Sequence, residues 1–307
     1  MTFLLFIGYL PSALKLLFDL PEDYEIWLLG HEKWLMKVKS AQCLKLYEKG
    51  SETKDVRIEG VSFSPYELSG ETFDAILIGV PVYEISTTLE TVCDLGLKAD
   101  NLIMISNALG IENILSKRIL DEYCVIRGFS KNIAIWRNQN GLENLYSENW
   151  KFGILKSKCR GEINILDIPN SVIVKNTEER NLLNWEYALT EATLYYLSAV
   201  LNCPINYLVE NKDCRELVEA LIDEGERVAR AHGVSLRNMY SKILRFASSL
   251  KGIHSPIENL WSLGIKSEVE FFNGYIYRVG KERGVSAYTH RVILHLIRAL
   301  EGIRGYI

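Results

Sequence analysis

Little in this sequence points to a metal, a disulfide framework, a nucleic acid or a membrane. The six cysteines, Cys43, Cys93, Cys124, Cys159, Cys203 and Cys214, form no CxxC pair, and no histidine stands at metal-ligand spacing from them. Scattered in a chain of 307 residues, they read as reduced, mostly buried thiols, and no metal is expected. There is no long basic run. A net charge of −4 and a pI near 5.9 give no electrostatic footprint for nucleic acid or anionic lipid. The apolar run from Phe3 to Ile7 is too short to span a bilayer and suits a buried strand. The first twenty residues lack the basic start and small-residue cleavage site of a secretory leader, so a cytoplasmic location is expected. Only two glutamines occur, Gln42 and Gln139, beside many Lys, Glu and Ile, which leans toward a thermophile's composition; the abundant Asn and the six Cys lean the other way. No internal repeat or low-complexity stretch appears.

What is present is the balance of a globular chain, 48% hydrophobic and 24% charged, with length for two domains. The first half alternates short apolar runs with helical patterns. Strands are expected at Phe3–Ile7, Glu25–Leu29, Cys43–Tyr47, Asp55–Ile58, Asp74–Val80, Asn101–Ser106 and Tyr123–Ile126. Helices are expected at Ser12–Leu20, Trp34–Ala41, Ile85–Leu95 and Gly110–Leu120. Apolar strands without alternation imply burial on both faces, and alternation with helices implies a parallel, doubly wound sheet. The stretch Ala134–Ile173 carries short strand-like pieces that could finish the sheet as an antiparallel edge. Beyond it, Leu182–Leu201, Cys214–His232, Leu236–Ser249, Ser267–Gly280 and Arg291–Ile303 have helical apolar spacing. The expected fold is therefore a Rossmann-type α/β domain over residues 1–170 and an all-helical domain over 171–307, with a ligand cleft between them.

Four segments carry a family resemblance. Lys266-Ser-Glu-Val-Glu-Phe-Phe-Asn-Gly274, followed by Gly280-Lys-Glu-Arg-Gly-Val285 and a last helix ending Arg298-Ala-Leu-Glu301, resembles the ketopantoate reductase signature. Ser106-Asn-Ala-Leu-Gly110, Trp185-Glu186 and Glu224–Gly233 resemble further motifs of the same family, in the same order along the chain. The resemblance implies NADPH-dependent reduction of a 2-oxo acid to a 2-hydroxy acid, in the manner of 2-dehydropantoate 2-reductase in the pantothenate and coenzyme A pathway. It places Gly8, Ser12 and Ala13 in the nucleotide turn, and His31 with Lys33 where the 2′-phosphate is held. Asn107 falls where nicotinamide and substrate meet, and Glu268 where substrate hydroxyls are accepted. Glu191, Tyr195, Ser198 and Ser255 fall on or beside substrate positions, and a homodimer is possible.

The departures are specific. The turn reads Gly8-Tyr-Leu-Pro-Ser-Ala13, so Leu10 stands where the second glycine lets backbone approach a pyrophosphate, and Pro11 has no N–H. Pro81 stands at a family lysine. Tyr187 stands at the essential lysine, and with Glu191 and Tyr195 it shares one helix face by four-residue spacing. A tyrosine supplies a proton but no positive charge, and Glu191 repels an anionic keto acid. Two readings stay open: a 2-oxo acid reductase with Tyr187 as acid, Asn107 orienting and Glu268 binding substrate; and a catalytically silent relative that binds a ligand or a protein. The other histidines, His232, His254, His290 and His295, have no partner in sequence and are expected in ordinary surface or core roles.

Overall fold

The computed structural model describes residues 2–138, 140–156 and 168–306. Gln139 and Cys159 lie outside them. The chain divides into two compact units, Met1–Ser106 with Ile111–Thr177, and Asn107–Gly110 with Glu178–Ile307. The first is a mixed α/β unit and the second is helical.

In the first unit the elements follow as β1 (Thr2–Gly8), α1 (Pro11–Leu14), β2 (Tyr24–Leu29), α2 (Glu32–Ala41), β3 (Cys43–Glu48), β4 (Ser51–Arg57), β5 (Gly60–Ser62), β6 (Thr72–Gly79), α3 (Val82–Asp94), β7 (Lys98–Ile105), α4 (Lys117–Glu122), β8 (Cys124–Phe129), β9 (Ile133–Asn138), β10 (Gly141–Tyr146), β11 (Lys151–Lys156) and β12 (Val172–Val174). Eight strands form one sheet in the order β12-β11-β8-β7-β6-β1-β2-β5. From β5 to β8 every neighbouring pair is parallel, and β11 then pairs antiparallel with β8. The continuous apolar runs explain this: Leu4, Leu5, Phe6, Leu77, Leu102, Ile103 and Met104 have no exposed surface, as central parallel strands require. Each such side chain contributes roughly 1.5–3 kcal/mol by leaving water.

Three expectations change. The helix expected over Ser12–Leu20 stops at Leu14 and continues as a 3₁₀ turn over Lys15–Asp19. This segment is buried nearly all round, and side chains rather than a helical ladder satisfy its polar groups. Lys15 Nζ binds Asp19 at 2.7 Å, Trp150 Nε1 donates to the same carboxylate, and Lys54 Nζ donates to the Phe18 carbonyl at 2.6 Å. The helix expected over Gly110–Leu120 is broken because Ser116 starts a new one, its hydroxyl accepting from Ile119 N–H. β3, β4, β9 and β10 do not extend the main sheet but form a second, four-stranded one, order β4-β3-β10-β9. The thiol expectation is also corrected. Cys124 is disulfide-bonded, while Cys43, Cys93, Cys203 and Cys214 are free. Spacing along the chain gives no signal of a pairing made in the fold.

The second unit is built on α5 (Thr177–Leu201), buried over most of its circumference from Leu183 to Ala199, as a central helix must be. α6 (Tyr207–Glu210), α7 (Lys212–Ala231), α8 (Met239–Ser249), α9 (Pro256–Ser262), α10 (Asn273–Glu282) and α11 (Tyr288–Ile303) follow. The expected helix Ser267–Gly280 is split into a 3₁₀ turn at Val269–Phe271 and α10. Asn273 marks the new start: its Nδ2 donates to the Ala192 carbonyl and meets His290 Nδ1, both at 3.0 Å. Among the described residues no helix is long and apolar enough to cross a membrane.

Candidate functional site

The strand order reverses beside β1, with β2 on one side and β6 on the other; in doubly wound sheets nucleotides bind at the carboxyl ends of such strands. Gly8 ends β1 at φ +136°, and a Cβ there would lie 2.3 Å from the Gly79 oxygen. Glycine is required where two strand ends touch backbone to backbone. The Gly79 carbonyl accepts from both Tyr9 N–H, at 3.2 Å, and Leu10 N–H, at 3.0 Å. Pro11 has no N–H, and Ala13 N–H is turned to the Leu10 carbonyl at 3.1 Å. Of the amides in this turn, those of Tyr9, Leu10 and Ala13 are thus already paired, and Pro11 has none. α1 is only one turn long and presents no dipole of consequence.

A cavity of about 390 Å³ opens beside this turn. Tyr9, His31, Trp34, Phe63 and Glu84 are among the residues that line it. The Tyr9 ring stacks on Trp34 with centroids 5.9 Å apart and planes 14° from parallel. Its hydroxyl donates to Glu84 Oε1 at 2.6 Å, and Trp136 Nε1 donates to its carbonyl at 3.0 Å. His31 caps α2, its Nδ1 accepting from Lys33 N–H at 3.1 Å. Lys33 Nζ sits 4.7 Å from the Trp34 ring centroid, outside the lining, and the described lining holds no lysine or arginine. Ala13 is 2% exposed against the strand ends, and Pro81 is the buried cap residue before α3. A nicotinamide dinucleotide therefore fits poorly at its pyrophosphate: the Tyr9, Leu10 and Ala13 amides are paired, Pro11 has none, and the charged group in the described lining, Glu84, is negative.

In the second unit Asn107 Nδ2 donates to Glu191 Oε1. The loop Asn107–Gly110 is pinned there by Leu109 N–H to the Phe271 carbonyl at 2.9 Å, and by Gly110, φ +78°, seated against the Tyr275 ring. Tyr187 is 2% and Tyr195 5% exposed. Sequence reasoning overlooked Tyr196. Burial first, and then the charges of Glu268 and Glu191, hold its hydroxyl well above the ordinary tyrosine range. Glu301 and Glu270 act in the same direction, and the tyrosine stays protonated. The four-residue spacing of Tyr187, Glu191 and Tyr195 drew attention to one face and away from its neighbour. Ser198 and Ser255 have local roles: the Ser198 hydroxyl donates to the Cys203 carbonyl at 2.6 Å, and Ser255 Oγ accepts from Ile257 N–H at the start of α9. Among the described residues no group of three or more His, Cys, Asp or Glu could hold a metal ion.

The other motif residues of this unit hold its frame. Glu224, on α7, accepts from Thr289 N–H, Thr289 hydroxyl and His290 N–H at 2.9–3.2 Å, closing the open start of α11. Glu301, 1% exposed, accepts from Trp261 Nε1 at 3.0 Å and Ser267 N–H at 2.7 Å. His290 donates Nε2–H to the Leu221 carbonyl at 2.9 Å and accepts from Asn273 at Nδ1; burial pushes its pKa down to about 4.

Residues 180–301 match the family described as ketopantoate reductase PanE/ApbA C terminal. A 2-dehydropantoate 2-reductase of Archaeoglobus fulgidus is 22% identical over 259 residues, 81% of this chain and 85% of that protein. One from Streptococcus pyogenes serotype M1 is 23% identical over 251 residues, 78% of this chain and 79% of that protein. Among solved structures, a PanE/ApbA family ketopantoate reductase from Ralstonia eutropha JMP134 aligns at TM-score 0.79 and 18% identity, covering 98% of this chain and 99% of that one. D-mandelate dehydrogenase with NADH and anilino(oxo)acetate aligns at TM-score 0.80 and 16% identity, with the same coverage. The chain is thus similar to the C-terminal part of the ketopantoate reductase family over residues 180–301, to curated 2-dehydropantoate 2-reductases along most of its length, and to ketopantoate reductases in its two-part fold.

Proposed function

We propose that this chain is a 2-dehydropantoate 2-reductase-like protein that binds a small organic ligand without transferring hydride. One observation carries the reading: the Gly79 carbonyl takes the Tyr9 and Leu10 amides of the nucleotide turn, and Pro11 has none. Supporting it, Tyr187 replaces the positive charge that a keto oxygen needs as it becomes an alkoxide. Glu191 puts a carboxylate against Asn107, which disfavours an anionic 2-oxo acid there. The test is turnover. Purified protein with NADPH or NADH and ketopantoate, or a panel of other 2-oxo acids, is expected to show no enzyme-like oxidation of the cofactor. The triple variant Leu10→Gly, Tyr187→Lys, Glu191→Asn is expected to gain measurable turnover. Steady reduction of any 2-oxo acid by the unaltered protein overturns the reading.

A second reading, an NAD(P)H-dependent 2-oxo acid reductase, is favoured by the bond between Asn107 and Glu191, which fixes the Asn-Ala-Leu-Gly loop in one position. In that case Asn107 orients the reactants, Glu268 accepts a substrate hydroxyl and Tyr187 supplies the proton. The preference between NADPH and NADH then rests on His31 and Lys33.

A further inference from the structure

We propose that the outward face of α11 docks an acidic amphipathic helix of another protein, with Tyr288, Val292 and Leu296 as the apolar row and Arg291 as the residue that selects the partner's charge. This docking needs only α11 and its neighbours in the second unit, so it is independent of whether hydride is transferred.

α11 buries Ile293, Leu294 and Ile297 on one side and leaves a second apolar row outside. Tyr288 is 65%, Val292 54% and Leu296 42% exposed, at four-residue spacing, and Ile303 lies 83% exposed beyond them. A single exposed apolar side chain is ordinary, but a row at i, i+4 and i+8 is the pattern of a packing ridge. Arg291 and His295 form a second row beside the first, and the five side chains line a groove of about 330 Å³. A groove between two such rows is the shape that receives the ridge of another helix.

Charge decides which helix. The one acid of α11, Glu301, is buried, and Arg298 is taken by Glu270. Arg291 lies over the Tyr277 ring, 5.7 Å from its centroid, and has no carboxylate partner among the described residues. The ring contact leaves guanidinium N–H groups for an acceptor, and a carboxylate suits their fork. A second copy fits poorly: a two-fold contact sets the same surface on both sides, so Arg291 and His295 meet a groove that holds no acid. A bilayer also fits poorly, because a flat surface fills no groove and anionic lipid is held by clusters of roughly 4–8 cations.

The probes are two lactam-bridged helical peptides with the same leucine row, one flanked by glutamates and the other by lysines. Fluorescence anisotropy of the labelled peptides is followed as the full chain is added. The glutamate peptide is expected to bind with a Kd on the order of 100 μM or tighter, as small transient contacts do, and about tenfold more tightly than the lysine peptide. Leu296→Asp is expected to weaken it about tenfold or more. Arg291→Glu is expected to reverse the preference, so that the lysine peptide binds more tightly. Both positions are exposed, and melting curves check that both variants fold. No binding of the glutamate peptide up to about 1 mM, equal binding of the two peptides, or an unreversed preference in Arg291→Glu overturns the proposal. So does a dimer in sedimentation that Leu296→Asp dissociates, which assigns the face to a second copy. Flotation with phosphatidylserine-containing vesicles that is lost in Leu296→Asp overturns it as well, by assigning the face to a membrane.

Discussion

In the helical unit, Glu224, Asn273 and Glu301 each sit inside a segment that resembles ketopantoate reductases, and each holds backbone from another element in place. In the sheet unit, the turn Gly8–Ala13 occupies an equally diagnostic position, and its Tyr9, Leu10 and Ala13 amides bond to the unit's own backbone. Family likeness thus has two sources. Residues that the fold needs can outlast a change of chemistry, because a buried carboxylate or amide without its partners costs the whole unit stability. A ligand-facing turn carries no such penalty, so the fold itself tolerates a leucine and a proline there.

The largest expected effect sharpens this contrast within the sheet unit. Gly8→Ala should destabilise the protein by ~3 kcal/mol or more, because φ +136° and a Cβ 2.3 Å from backbone oxygen cannot both be relieved. Leu10→Gly, two residues on, should cost ~1 kcal/mol or less, since Leu10 has ordinary extended geometry. Urea unfolding compares the two. Next, Glu224→Ala should cost ~2–3 kcal/mol, by stripping the start of α11 of its acceptor and leaving buried donors unpaired. If Glu84→Gln in the cavity costs as much, the distinction between frame and ligand-facing acids fails.

Acid should also reach the helical unit through His290. Its folded pKa, about 4, lies below the usual histidine value, so the unfolded state binds the proton more readily. Its contribution is full above about pH 6.5 and is lost as pH falls toward 4, with a slope of up to ~1.4 kcal/mol per pH unit. The slope over that window should be flatter in His290→Gln, measured by unfolding at a series of pH values. The smallest effect is expected at Glu270, which pairs with Arg278 and Arg298 at the surface: Glu270→Gln should change stability by less than ~1 kcal/mol, and less again at high salt.

Much of the frame was legible in the sequence. Unbroken apolar runs such as Leu4–Ile7 and Ile76–Ile78 announced the parallel sheet, and the amphipathic spacing after Glu178 announced the helices. What pattern could not supply was partnership across the chain. The pairing of β3 with β10 joins residues almost a hundred positions apart. The 3₁₀ turn at Lys15–Asp19 is fixed by Trp150 and Lys54, and the Cys124 disulfide is likewise made only in the fold. At the candidate site, Leu10 and Pro11 were readable as departures because a turn has a strict local chemistry. Glu84, Trp34 and Tyr196 were not, because their significance comes from the fold around them: the Tyr9 hydroxyl, the Tyr9 ring, and the burial that raises the Tyr196 pKa.

The central claim is that the turn after β1 no longer holds a pyrophosphate. Calorimetric titration of the purified protein with NADPH and, separately, NADH tests it most directly. The account predicts no saturable heat for either at millimolar concentration; micromolar binding of one of them would contradict it and return the chain to the dinucleotide-dependent reductases.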